Sequence, residues 1–395
     1  MSRAGMKLSH RITHLTPSGS DGWEVFHKSR KMIDSGTHVT ELTIGEHDIR
    51  THPSILDAMH KSAVDGHTGY ALVGGVDDLR ATLAERIEQR TGVRTTADNV
   101  FITPGGQSAL FASHHAVLDE GDTALFIDPY YATYPGTIRG VGGVPKSIVA
   151  LPEHGFQPRA ADIAAVADGA KSLLINSPNN PTGAVYSRAT MEAIAETCKA
   201  HDLWLISDEV YDTQIWEGEH ISPRALPDMA DRTLVVGSMS KSHAMTGSRI
   251  GWVCGPAEAI ERLIGLATNT TYGVPGFIQD AALFALKQGT SLEQEISAPF
   301  KRRREITEAL LAGQNIVKAS PTQGAMYAML DVRATGLSGV EFANRLLDEK
   351  HIATMPGESF GASAGGHLRV AMTIDDENYA EALRTLISFA AELAK

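Results

Sequence analysis

Five apolar segments of strand length recur along the chain, with enough residues between them for helices. They are 99–103, 123–127, 172–176, 203–207 and 233–237. Each is bounded by Gly, Pro, Asn or Asp, which favours strands over segments of buried helix. Between two of them, residues 191–198 carry apolar side chains at helical spacing. Strands that are apolar on both faces and joined by helices predict a mostly parallel sheet covered by helices on both sides.

The pattern changes after about residue 290. Apolar runs at 326–332 and 367–373 predict two strands, and the segment between them begins a helix. Ser338 and Glu341 stand three positions apart at its start, as in a capping box. This arrangement predicts a smaller α+β unit, so we expect two domains in a chain of 395 residues. The predicted boundaries are a large domain at 50–290 and a small domain formed by 1–49 with 291–395.

Acidic residues outnumber basic ones, with 47 Asp and Glu against 35 Lys and Arg, which gives a net charge of −12. This balance argues against nucleic acid or an anionic membrane as a partner. The basic run 301–304 lies in a helix-like segment and is followed by Glu305, so we interpret it as a solvated helix face. No apolar run approaches the roughly 20 residues that span a bilayer.

The first ten residues are polar and lack the apolar segment of a secretory signal. Residues 17–20, Pro-Ser-Gly-Ser, predict a loop. Cys198 and Cys254 lie in apolar segments, which argues against a disulfide and for a reducing compartment. We therefore expect a cytoplasmic protein, and we predict no bound metal.

A lysine among serines follows the last of the five apolar segments. Lys241 is surrounded by three serines, including Ser238, and Arg249 comes eight positions later. A lysine at a strand end can lose its charge by burial or beside another cation, and its free amine then forms an imine with an aldehyde. Hydroxyl groups and an arginine fork are groups that hold a phosphate. Together they indicate pyridoxal 5′-phosphate as the cofactor; the alternative is a solvated lysine in a serine-rich turn.

Three other strand ends carry small, aromatic or amide side chains. Gly105 and Gly106 precede an apolar helix, so their N–H groups can face an anion, although an ordinary tight turn fits equally. Tyr131 belongs to an aromatic-rich segment and could stack on a planar heterocycle, or pack in the core. Asn180 lies in a rigid turn, and its amide could donate to a phenolate oxygen.

Two charged side chains stand where burial would be costly. Asp208 ends a strand, and a pyridinium N–H would give its carboxylate a partner and keep the ring protonated as an electron sink. Tyr211, three positions on, could hydrogen-bond the ring oxygen. The alternative for Asp208 is a helix N-cap. Arg369 lies inside an apolar strand and needs a carboxylate, either from a ligand or from a structural ion pair with a protein acid.

The order of these motifs, at successive strand ends, resembles the fold-type I pyridoxal-phosphate enzymes of the class I/II aminotransferase family over nearly the whole chain. The resemblance implies an α/β fold, with a mostly parallel, seven-stranded-type sheet between helices and a smaller α+β domain. It also implies an aminotransferase with amino-acid and 2-oxo-acid substrates. Such an enzyme runs a ping-pong reaction, in which the donor leaves as an oxo acid before the acceptor takes up the amino group.

The resemblance also implies roles for single residues. Lys241 matches the lysine that holds the cofactor as an imine and moves the proton, Asp208 the partner of the ring nitrogen, and Tyr211 a donor to the ring hydroxyl. Asn180 matches the second donor to that oxygen, and Tyr131 the stacking ring. The phosphate-binding positions are matched by Gly105, Gly106, Gln107, Ser238 and Arg249. The positions that bind the substrate α-carboxylate are matched by Gly45, Asn180 and Arg369.

Tyr70 matches a tyrosine that reaches the phosphate from the neighbouring subunit, so the resemblance implies a homodimer with a shared site. The chain departs from the family at Ser248, where members usually carry an aromatic residue just before the phosphate arginine. His243, two residues after Lys241, is expected to be a packed or solvated imidazole without a catalytic role.

The sequence also predicts which substrates are favoured, from the charge of their distal group. Members that use aspartate bind its distal carboxylate with a cation at one of two positions, which match Asn269 and Gln107 in this chain, and neither is charged. A buried carboxylate with only neutral donors loses a contact worth about 1.5–3 kcal/mol. We therefore expect pyruvate to be favoured over 2-oxoglutarate, and the donor to be neutral, aromatic or basic. Longer stretches resemble arginine–pyruvate transaminases: 240–247, 272–280 and 336–338.

Two other functions stay open at this point. One is a different pyridoxal-phosphate reaction on the same scaffold, such as a C–S lyase or a decarboxylase, which needs no oxo-acid acceptor. The other is a non-enzymatic, cofactor-sensing domain of a transcription regulator. Such regulators carry a basic DNA-binding segment ahead of the domain, whereas this chain is acidic.

Overall fold

Two β-sheets organise the computed structural model, which describes residues 6–16 and 22–395. The loop predicted at residues 17–20 lies outside the described residues. In chain order the strands are β1 (Thr40–Leu42), β2 (Val100–Thr103), β3 (Thr123–Asp128), β4 (Val144–Val149), β5 (Ala170–Asn176), β6 (Trp204–Asp208), β7 (Thr233–Ser238), β8 (Gly251–Cys254), β9 (Lys318–Ala319), β10 (Tyr327–Asp331), β11 (Ile352–Pro356) and β12 (His367–Ala371).

The large sheet has seven strands in the order β2-β8-β7-β6-β5-β3-β4. The pairs β3–β4, β3–β5, β5–β6 and β6–β7 are parallel, while β8 pairs antiparallel with β2 and β7. The predicted mostly parallel, seven-stranded α/β sheet is thus confirmed. Because β2, β3, β5, β6 and β7 run in one direction, their carboxyl ends meet at one edge of the sheet.

Helices cover both faces of the large sheet. In chain order the helices are α1 (His10–Thr13), α2 (Glu24–Asp34), α3 (Pro53–Val64), α4 (Asp77–Thr91), α5 (Gly106–Val117), α6 (Tyr134–Gly140), α7 (Ala160–Ala167), α8 (Arg188–Ala200), α9 (Met239–Ser242), α10 (Ala257–Thr268), α11 (Gly276–Lys287), α12 (Ser291–Leu311), α13 (Gly339–Lys350) and α14 (Asp376–Leu393). Leu173 and Ile175 of β5 join a core with α7 and α8, whereas Leu174 joins a core with α5, α6 and α10. This alternation explains why the strand is apolar throughout.

The small sheet has the order β1-β11-β12-β10-β9, and its first pair is parallel. The N-terminal strand β1 therefore completes a sheet whose other strands come from the C-terminal part of the chain. The predicted capping box at the start of α13 is confirmed, because Ser338 Oγ accepts from Glu341 N (3.2 Å) and Glu341 Oε2 accepts from Ser338 N (3.1 Å). The domain boundaries drawn from the sequence stay a prediction.

The basic run 301–304 lies on α12, and the prediction of a solvated face is wrong for Arg303. Its side chain is only 3 % exposed and pairs with the carboxylates of Asp48 and Asp376. Both acids are remote from α12 in the sequence, so charge spacing along the helix could not reveal them.

Neither cysteine takes part in a disulfide. Cys198 and Cys254 are both buried and free, as their apolar segments predict. Burial raises the pKa of the Cys198 thiol to about 12 and that of Cys254 to about 11. The helices of the described residues all lack the length and apolar character that crossing a membrane requires.

Candidate active site

Loops at the carboxyl edge of the large sheet enclose a cavity of about 280 Å³. The small sheet supplies the opposite wall, through residues that follow β1 and residues of β10 and β12. Most of the predicted site residues line this cavity: Gly45, Gly106, Gln107, Tyr131, Asn180, Asp208, Tyr211, Ser238, Lys241, Arg249 and Arg369. The fold thus brings together motifs that are more than 300 residues apart in the chain.

Lys241 lies on α9, a short helix that follows β7 directly. The hydroxyl of Ser238 caps this helix by accepting a hydrogen bond from Ser240 N (3.1 Å). The Lys241 amine donates to the carbonyl oxygen of Gly45 (2.5 Å), and no carboxylate of the described residues forms an ion pair with it. Burial lowers the pKa of Lys241, and the nearby charge of Arg369 lowers it further. Lys241 is therefore a cavity lysine with a weakened hold on its proton, not a lysine in a solvated turn.

Asp208 ends β6 and is 4 % exposed. Its Oδ2 accepts a hydrogen bond from the Tyr134 hydroxyl (2.7 Å), and its Oδ1 accepts one from Val210 N (3.3 Å). Burial raises the pKa of this carboxyl to about 6, although both hydrogen bonds oppose the shift. The N-cap alternative is wrong, because the residues after Asp208 form a turn and not a helix.

A hydrogen-bonded network surrounds the carboxylate. Asn176 Nδ2 donates to the carbonyl oxygen of Asp208 (2.9 Å), and Asn176 Oδ1 accepts from Asn180 N (2.7 Å). The Asn180 side chain uses its oxygen to accept from Arg369 (2.9 Å), so its NH₂ group is available to an acceptor in the cavity. Tyr211 lies nearby with its hydroxyl 3.1 Å from that of Tyr327.

The turn after β2 forms an anion-binding cradle. Gly105 is the N-cap of α5 and has φ of +81°, and a Cβ there would lie 2.3 Å from Arg249 Nη2. A residue without a side chain is therefore needed for the guanidinium to reach the helix N-terminus. Arg249 donates to the carbonyl oxygen of Thr246 (2.8 Å) and has no carboxylate partner among the residues described. Backbone N–H groups, a helix dipole and a guanidinium suit a phosphate.

Arg369, at the centre of β12, is 1 % exposed. It donates to Asn180 Oδ1 and to the carbonyl oxygen of Thr43, and its Nε has no hydrogen-bond partner. Its guanidinium lies over the rings of Tyr327 and Phe360, at 4.5 and 4.4 Å. The alternative of an ion pair with a protein acid is wrong within residues 6–16 and 22–395, where no carboxylate contacts it. A buried guanidinium with N–H groups left open fits a carboxylate ligand.

Sequence reasoning missed two residues that line the cavity, Tyr134 and Tyr327, and one that contacts the Lys241 backbone, His47. Tyr134 stands in the same aromatic-rich segment as Tyr131, but only its position at the start of α6 directs its hydroxyl to Asp208. Tyr327 lies in an apolar strand where no spacing marks it. His47 holds the Lys241 carbonyl oxygen through Nε2 (2.9 Å), and burial lowers the pKa of its ring to about 4. The only sequence feature that could have pointed to His47 is its position, two residues after Gly45.

Three further residues singled out from the sequence, Tyr70, His243 and Ser248, do not line the cavity. Tyr70 is 91 % exposed and does not line the cavity of its own chain; its ring meets Tyr272 edge-on at 5.1 Å. His243 is buried, with Nδ1 2.8 Å from Ser242 Oγ, as expected for a packed imidazole. Ser248 lies in a short 3₁₀ turn, and nothing in the structure explains its departure from an aromatic residue.

A cavity lysine, a buried carboxylate and a phosphate cradle at the carboxyl edge of this sheet define a pyridoxal-phosphate enzyme. The family model for aminotransferases of class I and II matches residues 37–386, and the chain belongs to that family. It is thus a transaminase that depends on pyridoxal phosphate. Amino acids and oxo acids are its substrates, and a regulator without enzymatic activity is excluded.

Relatives of known activity cover nearly the whole chain. The arginine–pyruvate transaminase of Pseudomonas aeruginosa is 39 % identical over 98 % of this chain and 99 % of its own. The aspartate/prephenate aminotransferase of Thermus thermophilus is 36 % identical over 95 % and 97 %. Among solved structures, Thermus thermophilus aspartate aminotransferase with maleate superposes with a TM-score of 0.90, at 34 % identity over 98 % of this chain and 100 % of that one.

The residues present fit the cofactor. Asp208 has no cationic partner in the described part of the chain, and a protonated ring nitrogen would supply one. Among the described residues, Arg249 beside Gly105 donates to backbone carbonyl oxygens and pairs with no carboxylate, so a phosphate suits this cradle. Lys241 would hold the aldehyde.

The pKa of Asp208 leads to a stability prediction. It is about 6 in the folded protein without cofactor and 3.8 as an exposed group, so the folded state keeps its proton longer than the unfolded state. Stability should therefore fall as pH rises from about 4 to about 6, by about 3 kcal/mol in total. Asp208→Asn cannot ionise and avoids this loss. We expect the cofactor-free variant to be more stable than wild type at pH 7.5 and equal to it near pH 4.

Scanning calorimetry of both proteins at the two pH values checks this. Asp57→Asn, an exposed carboxylate on α3, is the control and should show no pH-dependent difference. Adding pyridoxal phosphate should stabilise wild type more than Asp208→Asn, because only the carboxylate gains an ionic partner. A cofactor-free variant that is less stable than wild type at pH 7.5 would show that Asp208 is satisfied without the ring.

Proposed function

We propose that this aminotransferase uses pyruvate in preference to 2-oxoglutarate as amino acceptor, with a neutral, aromatic or basic amino acid as donor. The proposal rests on the basic side chains of the cavity. The basic side chains that line the cavity are Lys241, Arg249 and Arg369, and each has a partner in the reaction already. Among the described residues of one chain, a distal carboxylate on the substrate would find only neutral groups to bind it.

Gln107 occupies one of the two positions where a cation would bind that carboxylate. Its Oε1 accepts from Thr133 Oγ1 (3.1 Å) and its Nε2 donates to Thr137 Oγ1 (2.8 Å), so both ends of the amide are held. Asn269, at the other position, donates to the carbonyl oxygen of Gly265 (2.9 Å). Neither side chain can compensate the charge of a dicarboxylic substrate.

The relatives support different substrates. The arginine–pyruvate transaminase agrees with a pyruvate acceptor, whereas the Thermus relative is named for aspartate and prephenate. Overall similarity therefore does not decide between them, and the proposal rests on the charge of the cavity. Losing one charge-assisted contact costs about 1.5–3 kcal/mol, which is about one to two powers of ten in kcat/KM.

Pyridoxal phosphate, when bound, supplies an aldehyde and an electron-accepting ring. We infer that the Lys241 amine holds the aldehyde, that Arg249 and the N–H groups at the start of α5 hold the phosphate, and that Asp208 keeps a proton at the ring nitrogen. Tyr211 and the NH₂ group of Asn180 donate to the ring oxygen. Tyr131 would stack on the ring, since it lines the same cavity.

Arg369 would grip the α-carboxylate of the amino acid and of the oxo acid alike. The amino donor and the oxo-acid acceptor share this carboxylate and differ only at the α-carbon and beyond. One carboxylate-binding arginine can therefore serve both in turn, as a ping-pong reaction requires. The carbonyl oxygen of Gly45 lies beside it and accepts from the Lys241 amine.

Acceptor specificity tests the proposal. We expect kcat/KM for pyruvate to exceed that for 2-oxoglutarate by about tenfold or more with one common donor, for the charge reason above. Gln107→Lys places a cation in the distal part of the cavity and should shift the ratio toward 2-oxoglutarate. Gln107→Met, which adds no charge, is its matched control. A wild-type preference for 2-oxoglutarate would contradict the proposal.

We further propose that the active unit is a homodimer in which Tyr70 completes the partner's phosphate site. Tyr70 and Tyr272 expose 91 % and 52 % of their surface, and Leu72 exposes 59 %. Exposed apolar groups this close together favour a protein contact. A single guanidinium, Arg249, lines the phosphate end of the cavity, so a phenol from a second chain would add a needed donor.

Subunit mixing tests the shared site. Lys241→Ala lacks the amine and Tyr70→Phe lacks the phenol, so each alone should be impaired. A hybrid dimer contains one intact site, because a two-fold interface exchanges the same residue in both directions. After exchange of an equal mixture, we expect about one quarter of wild-type activity, since random pairing makes about half the dimers hybrid. No recovery after exchange, or a fully active monomer, would contradict a shared site.

A further inference from the structure

The segment between β1 and α3, residues 43–51, runs across the cavity, and we call it the strap. One end of the strap is bonded to strand β12 and its continuation. The carbonyl oxygen of Thr43 accepts from the guanidinium of Arg369, and the carbonyl oxygen of Ile44 accepts from Thr373 Oγ1 (3.1 Å). These two bonds tie the strap to the strand that carries Arg369.

The rest of the strap is bonded to the loop that carries the lysine. The carbonyl oxygen of Gly45 accepts from the Lys241 amine (2.5 Å), and His47 Nε2 lies 2.9 Å from the carbonyl oxygen of Lys241. Further along, Thr51 Oγ1 donates to the carbonyl oxygen of Ala244 (2.6 Å). The position of the strap thus fixes the spacing between the Lys241 amine and the Arg369 guanidinium.

Arg303 of α12 contacts both the strap and the residue that follows β12. Its Nη1 and Nη2 donate to the two carboxylate oxygens of Asp48, in the strap, at 2.9 and 2.6 Å. Nη1 also donates to the carbonyl oxygen of Met372, which directly follows β12 (2.9 Å), and Nε donates to Asp376 Oδ1 (2.9 Å). The Arg303 side chain is almost fully buried and its two carboxylate partners are partly buried, so water screens these contacts less than it would at the surface.

We propose that Arg303 is a positioning residue for the substrate α-carboxylate: it locks the strap against β12 so that Gly45 and Arg369 face the same ligand. The inference rests on the carboxylate site proposed above for Arg369. A planar fork is required, because the two parallel bonds to Asp48 and the bond to Met372 leave the guanidinium in one plane. A lysine keeps the charge but cannot reproduce that geometry.

The experiment compares holoenzyme variants by their binding of propionate, a carboxylate without an amino group, in isothermal titration calorimetry. Arg303→Lys should raise the Kd for propionate by about tenfold or more, since losing one charge-assisted hydrogen bond weakens binding by about one to two powers of ten. KM for the amino donor should rise in parallel while kcat stays within about threefold, because the carboxylate contact exists equally before and during the reaction.

Arg302→Lys is the matched control. Arg302 is the adjacent residue on α12 and also pairs with Asp376, through Nε at 2.8 Å, but it is 54 % exposed and does not contact the strap. The Arg302→Lys variant should keep the wild-type Kd for propionate and the wild-type KM and kcat for the amino donor. If Arg302→Lys weakens propionate as much as Arg303→Lys does, or if Arg303→Lys keeps the wild-type Kd, the inference is overturned.

Asp48→Asn keeps the shape of the strap and removes the charge that Arg303 grips, so it tests the pair even if Arg303→Lys does not fold. It should weaken propionate in the same direction. Combined with Arg303→Lys, the effects should fall short of their sum, because both changes act through one contact. Full additivity, or an unchanged Kd in Asp48→Asn, contradicts the inference. A wild-type holoenzyme that fails to bind propionate instead refutes the carboxylate site, whatever Arg303 does.

Discussion

Three ionisable side chains, Lys241, Asp208 and Arg369, surround one cavity without an opposite charge beside any of them in the residues described. Buried charges are costly unless they are paired, and here the chain leaves them unpaired. In the proposed site a ligand would supply each missing partner: an aldehyde for the amine, a protonated ring nitrogen for the carboxylate, and a substrate carboxylate for the guanidinium. The same desolvation that makes these charges costly to bury also shifts their pKa values, as is typical of groups at functional sites.

Different sheets position the three ionisable side chains. The large sheet brings the amine and the carboxylate to the ends of adjacent strands, β7 and β6, where their spacing is set by the strand register. The small sheet brings the guanidinium on β12, and Asn180 and the strap join it to the large sheet. In the proposed site, substrate and cofactor are thus held by residues of different sheets. Their relative orientation depends on a few hydrogen bonds and on the charged contact between Arg303 and Asp48.

Strand ends and turns were readable from the sequence, because apolar runs, glycines and asparagines act through local backbone physics. Tyr134 shows where local reasoning stops. It stands in the same aromatic-rich segment as Tyr131, the predicted stacking ring, and only its position at the start of α6 directs its hydroxyl to Asp208. Arg303 was misjudged for the same reason, since its acids come from residue 48 and residue 376. Contacts between distant segments carry no signature in spacing, and those contacts complete the site.

The central claim is that Lys241 is the amine that holds the cofactor. Borohydride reduces an imine to a stable secondary amine, so reduction of the holoenzyme fixes pyridoxal phosphate to whichever lysine carries it. Proteolysis and mass spectrometry then locate the modified peptide. The structure predicts the adduct on Lys241, in the peptide that follows β7, together with loss of the visible absorption of the imine. An adduct on any other lysine would contradict the account.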